Sequence, residues 1–186
     1  MVGGRPDPSP PQVRLADAAG RALDGTPYRL PVDLPGAVTL VIVAFRQRQQ
    51  GEVDRWIDLA VALGVPPSPY GATEPMASAV VEVPVLGRRY LPARRMIDGG
   101  MAAGIADPIA LARTITVYTD PAAFRRSCGI TTADQVTALL THRDGTVVWH
   151  AVGVPTDRHR GDLQAALASV TDPSGPNGPN EVDDGG

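Results

Sequence analysis

A hydrophobic run at residues 38–45 reads Val-Thr-Leu-Val-Ile-Val-Ala-Phe and is apolar at odd and even positions alike, Thr39 excepted. A strand with one wet face would alternate. A run that does not alternate and is rich in β-branched residues predicts a central strand covered on both faces. Beyond it the period changes: Val53, Trp56, Ile57 and Ala60 recur at i, i+3, i+4 and i+7, the spacing of an amphipathic helix. Between the two lies a polar stretch, Arg-Gln-Arg-Gln-Gln-Gly at residues 46–51. It forms an elbow from a strand exit into a helix start, where α/β folds place a ligand or a reacting group.

The same reading extends along the chain. Residues 13–17 and 28–30 predict a leading hairpin about Gly20 and Asp24-Gly25. Gly64 and Pro66-Pro67 stop the helix, and residues 66–75 form a loop. Residues 79–83, Ala-Val-Val-Glu-Val, predict a second buried strand closed by Pro84 and set parallel to the first by the helical crossover. Residues 87–112 mix helix formers with breakers and predict an irregular helical insertion. A third strand at 114–119 leads into a short helix through Ser127, with Asp120 as cap and Pro121 in its first turn. Residues 135–141 and 147–151 flank Arg143-Asp144-Gly145 as a hairpin, and Thr156 or Asp157 caps a closing helix whose Leu163, Ala166, Leu167 and Val170 face inward. The fold class expected is α/β: a central mixed β-sheet flanked by helices, with a leading β-hairpin and a helical insertion.

Composition sharpens the boundaries. Gly and Pro crowd residues 1–12 and 171–186, the latter also acidic, so both are expected to be disordered tails around a domain at 13–170. All 17 basic residues are Arg, and Asp outnumbers Glu sixteen to four, a bias that reflects base composition more than function. A net charge of −3 argues against a nucleic-acid partner. No stretch reaches the roughly 18 apolar residues of a membrane span, and no charged, then apolar, leader opens the chain. The single cysteine, Cys128, excludes an intramolecular disulfide and fits a reducing compartment. A cytoplasmic protein is expected.

With these elements in order, the chain resembles the thioredoxin-like superfamily in its longer peroxiredoxin or periplasmic-thioredoxin arrangement. The residues that carry the resemblance are Ala44-Phe45 before the first helix, the strand Val80-Val81-Glu82-Val83, Thr119-Asp120-Pro121 leading to Cys128-Gly129-Ile130, and the hairpin from Leu139 to Trp149. Redox members carry Cys-x-x-Cys at the first turn of the helix, where the helix terminus lowers the thiol pKa. The matching positions fall near Gln50 and Val53, neither a thiol. The elbow also lacks the Pro, Thr and Cys of peroxidatic members, and the family's cis-proline before the hairpin strand falls at about Val136. The chain further resembles cysteine-less proteins related to the mitochondrial ATP synthase assembly-factor family. That likeness rests on Ala44-Phe45-Arg46-Gln47 with Val53 and Trp56, on Met96-Ile97-Asp98-Gly99-Gly100-Met101, and on the hairpin followed by Gly153. It implies a non-catalytic assembly or chaperone-like role with a protein partner.

Three sites follow. Arg46, Gln47, Arg48, Gln49 and Gln50 crowd the elbow with donors that suit a small anionic ligand or a peptide main chain, although such residues at a strand exit also make an ordinary solvated loop. Arg88, Arg89, Arg94 and Arg95 form a basic patch on the insertion, suited to an acidic partner or to peripheral contact with anionic lipid. Cys128 is a small buried hydrophobe or, alternatively, the lone thiol of a peroxiredoxin-like enzyme. Trp56 has the spacing of a core residue, and Trp149 is expected to pack through its parity with Val147. In a two-residue turn His142 and His150 fall on opposite faces of the hairpin and could not share a metal, whereas a three-residue loop would change that parity; no metal site or cofactor is expected.

Overall fold

The computed structural model describes residues 13–67 and 76–171. Both expected tails, apart from Thr171, and residues 68–75 of the loop lie outside them. Seven strands run in the order β2-β1-β5-β4-β3-β6-β7. They are β1 (Ala18–Ala22), β2 (Pro27–Leu30), β3 (Gly36–Ala44), β4 (Met76–Gly87), β5 (Ile115–Thr119), β6 (Thr137–His142) and β7 (Val147–Val152). Helices α1 (Gln50–Ala62), α2 (Arg94–Ala103), α3 (Pro108–Arg113), α4 (Pro121–Ser127) and α5 (Asp157–Thr171) surround the sheet. Strands β3, β4 and β5 are mutually parallel, and the remaining pairings are antiparallel.

Both parities of β3 are buried because both faces are covered. Leu40 and Ile42 pack with Val80, Leu140, Trp56 of α1 and Leu163 of α5. Val41 and Val43 point the other way, into a second core with Val81, Val83, Leu139 and Phe124 of α4. Each large aliphatic side chain so buried contributes on the order of 1.5–3 kcal/mol. Gly64 ends α1 with φ 83°, and Asp120 caps α4 by accepting from the Ala122 and Ala123 N–H groups. The cap of α5 is Thr156, whose Oγ1 accepts from the His159 N–H at 3.3 Å.

Three expectations are corrected. The first hairpin strand is Ala18–Ala22, not 13–17, because the turn at Asp24-Gly25 closes through Ala22 and Thr26 and so pairs the residues next to it with β2. Gly20, read as a breaker, is inside that strand: a Cβ there would meet Ile115 Cγ2 at 2.6 Å, so the close approach of β1 to β5 requires its absence. Pro84 does not close the second strand. β4 continues to Gly87, and Pro84 sits where it changes partners, residues 76–84 lying along β3 and Val85, Leu86 and Gly87 along β5. Glu82 and Thr114 add one isolated bridge below the change.

In the second hairpin the loop has three residues, closed by the His142 N–H on the Thr146 carbonyl, and a bulge at Val148 restores the pairing of Leu140 with Trp149 and Leu139 with His150. His142 and His150 therefore do lie on opposite faces. The same bulge separates Trp149 from Val147: Trp149 packs edge-on against Trp56, centroids 5.9 Å apart, while Val147 packs into the second core.

Candidate functional site

Strand β3 delivers the chain to the elbow at Ala44, and the elbow is held by Gln49. Its side chain is 1% exposed. Oε1 accepts from the Phe45 and Arg46 N–H groups at 2.8 and 2.9 Å, and Nε2 donates to the Ala133 carbonyl at 3.2 Å. These bonds fold residues 47–49 into a short 3-10 turn ahead of α1 and occupy an amide expected to face a ligand. Gln50 stays exposed at the start of α1 but has its amide engaged, donating to Asp54 at 3.0 Å and to Glu82 at 3.2 Å. Glu82 is itself 4% exposed and within hydrogen-bond reach of the Thr114 hydroxyl, whose single proton is shared between that carboxylate and the Ala110 carbonyl at 2.7 Å. The sequence signal for this cluster is a carboxylate inside the buried run Val-Val-Glu-Val, residues 80–83.

The two elbow arginines converge on one acid. Arg46 reaches Asp134 at 2.7 Å and Arg48 reaches the same oxygen at 3.3 Å, all three exposed, so the pairing is worth little in stability and fixes position more than it stabilises. Gln47 is exposed beside them.

Beside the elbow, at the carboxyl ends of β3, β4 and β5, opens a half-open cleft of about 570 Å³. Its cations are Arg46, Arg88, Arg89 and Arg125. The elbow and the first half of the insertion patch thus meet in one place, although they are separate in sequence. Arg125, from α4, was not singled out in the sequence; its Nη2 donates to the Thr131 carbonyl at 3.1 Å, while its Nε is buried without a hydrogen-bond partner among the described residues. Arg89 lies over the Tyr90 ring, 4.8 Å from its centroid, and donates to the ring's own hydroxyl at 3.0 Å. Phe45, Val85, Tyr90 and Pro121 supply an apolar wall. The one acid of the lining, Asp120, is engaged in capping α4, and its carboxyl is held below the usual range by the Ala123 and Ala122 N–H groups, with Arg126 and Arg88 adding to the effect.

The second half of the insertion patch goes elsewhere. Arg94 lines a different cleft of about 530 Å³ between the leading hairpin and α2, where Tyr118 donates to Asp98 at 2.8 Å. Burial, and then that carboxylate, push the Tyr118 hydroxyl pKa well above its ordinary value. Arg95 is exposed on the outer side of α2.

Cys128 is apart from all of these. It ends α4, is 1% exposed, and packs in the second core; its Sγ accepts from the Ala16 N–H at 3.2 Å. Burial pushes the thiol up to about 11, with the Ala16 N–H pulling the other way. Among the described residues no three His, Cys, Asp or Glu side chains cluster in a way that could hold a metal ion.

No protein-family model and no curated protein matches the sequence. Solved structures do match. The pneumococcal exposed lipoprotein thioredoxin Etrx1 of Streptococcus pneumoniae strain TIGR4 aligns over 81% of this chain and 98% of its own, at 14% identity and a TM-score of 0.50. The fold is thioredoxin-like. This thioredoxin-like chain is also similar to a candidate electron transfer protein from Aquifex aeolicus VF5, at 10% identity over 89% of this chain and 96% of that one with a TM-score of 0.56. A candidate protein disulfide isomerase from Bacteroides thetaiotaomicron gives 12% identity, coverage of 86% and 89%, and a TM-score of 0.52. On the thioredoxin-like scaffold the two helix positions at which the sequence resemblance placed thiols hold Gln50, bonded to two carboxylates, and Val53, 1% exposed. Position 136 holds a buried valine whose N–H donates to Glu52 at 3.3 Å. No helix among the described residues is long and apolar enough to cross a membrane.

Proposed function

We propose that this chain is a non-redox binding or assembly module on a thioredoxin-like scaffold, and that its ligand presents an anionic group to the cleft at the ends of β3, β4 and β5. The observation that carries the reading is the meeting of Arg46, Arg88, Arg89 and Arg125 around one half-open cleft at the end of the sheet where α/β proteins bind ligands. A thiol mechanism finds no support in the site: Cys128 is packed in the core with its pKa raised, whereas reactive cysteines are accessible and depressed in pKa. The resemblance to cysteine-less assembly factors points the same way, and a single thiol suits a cytoplasmic setting.

The reading is tested by the rate at which Cys128 reacts with a thiol reagent across pH, in the native and the denatured chain. Labelling that is slow in the native protein and fast only on unfolding is expected. Fast native labelling with an apparent pKa below the ~8.5 of a free thiol would overturn it in favour of a thiol enzyme.

A further inference from the structure

We infer that the group this cleft takes is a phosphate monoester carried on a flat apolar body, an aryl phosphate in chemical class; the inference rests on the binding-module reading above. Charge is the first argument. Four arginines line the cleft against one lining acid, Asp120, which caps α4, and Asp134 beside them is shared by Arg46 and Arg48, so the site keeps an excess of positive charge. A carboxylate returns one negative charge and two acceptor oxygens, whereas a phosphate monoester carries about −1.5 to −2 at pH 7 and offers three.

The donors are the second argument. Arg125 is anchored at one end by the Thr131 carbonyl and keeps a buried Nε with no hydrogen-bond partner among the described residues. Arg88 enters from the start of the insertion, on a different element from Arg46 and Arg125. Guanidinium groups arriving from three elements can engage separate oxygens of a tetrahedral group, while a planar carboxylate is matched by one fork. Shape is the third. Phe45, Val85, Tyr90 and Pro121 form an apolar wall beside the cations, and a volume of about 570 Å³ is that of a small-molecule site. Tyr90, half-exposed with Arg89 over its ring, offers an edge against which an aromatic body can lie.

The test is calorimetric titration of the full chain with phenyl phosphate, inorganic phosphate and phenylacetate, at low and at raised salt. Phenyl phosphate is expected to bind at least about tenfold more tightly than either of the others, each tenfold being 1.4 kcal/mol, and to weaken as salt rises. Arg88→Ala should weaken it about tenfold with its unfolding midpoint unchanged, and Arg125→Lys, which keeps the charge but removes the fork together with the bond to the Thr131 carbonyl, should weaken it about tenfold when measured well below its own unfolding midpoint. Arg95→Ala, on the outer side of α2, should bind as the parent does. Equal, weak affinity for all three anions would mean an adventitious ion only and would overturn the inference, as would phenylacetate binding as tightly as phenyl phosphate. Those failures leave Cys128 slow to label, whereas failure of the binding-module reading itself appears as fast native labelling.

Discussion

A thiol held in the protonated form by burial makes folding stability depend on pH in a known direction. Cys128 in the folded chain has its pKa raised from 9.0 to about 11, so the unfolded chain gives up its proton first as pH rises. Between those values the folded state binds more protons, and stability must fall with increasing pH. The contribution is fully present below pH 9, and roughly 2–3 kcal/mol is lost by pH 11 at 1.36 kcal/mol per unit. Denaturant unfolding of the parent and of Cys128→Ala over that range should show the slope in the parent and its removal in the variant; parallel curves would mean that the thiol is solvated. The contrast with Gln49 shows what single residues disclose from sequence. The character of Cys128 as a small apolar residue could be read from its place at the end of a short helix, distant in chain order from the position of the family's redox thiols, but Gln49 and Gln50 read only as donors. That their acceptors lie within the fold, at Ala133 and Glu82, depends on segments more than 30 residues away.

At the level of elements, hairpin chemistry separates two glycines that look alike in sequence. Gly25 and Gly145 both follow an aspartate, and both have positive φ, 98° and 92°. A Cβ at Gly25 meets nothing within 4 Å; at Gly145 it would meet Pro31 Cγ at 3.0 Å and the Leu15 carbonyl at 3.4 Å. Gly25→Ala should therefore cost only the left-handed backbone term, about 1–2 kcal/mol. Gly145→Ala should cost at least 1 kcal/mol more, on the order of the overpacking penalty, as read from thermal or denaturant unfolding. Equal costs would mean that the segment around Pro31 yields freely. Element existence and order were legible because hydrophobic period and turn residues are local. The place of Gly20 inside β1, the passage of β4 through Pro84 and the Val148 bulge were not, since each is set by a neighbouring strand: β5 packed against Gly20, the exchange of β3 for β5, and the register of β6.

For the molecule as a whole, the legible part was a strand buried on both faces, which requires layers on either side and so implied the sheet with flanking helices. The site was legible in halves. Arg46 and the pair Arg88 and Arg89 stood out as separate basic stretches, and only the parallel packing of β3 on β4 brings their ends together. Arg125 carried no signal, being one arginine on a short helix. The exchange of partners along β4 divides the sheet into two ladders that share that strand. β3, β6 and β7 hang from its first part, and β5, β1 and β2 from its last three residues, with Glu82 and Thr114 adding one bridge and the second core packing across the joint. Amide protons should accordingly exchange with solvent as two cooperative blocks, the β5-β1-β2 block opening at lower free energy because fewer bonds join it to β4. The cleft straddles the joint, with Arg46 on one block and Arg125 after β5 on the other. A bound dianion would then act as a clasp, raising protection in the weaker block toward that of the stronger, and hydrogen exchange with and without phenyl phosphate would show the two merging into one.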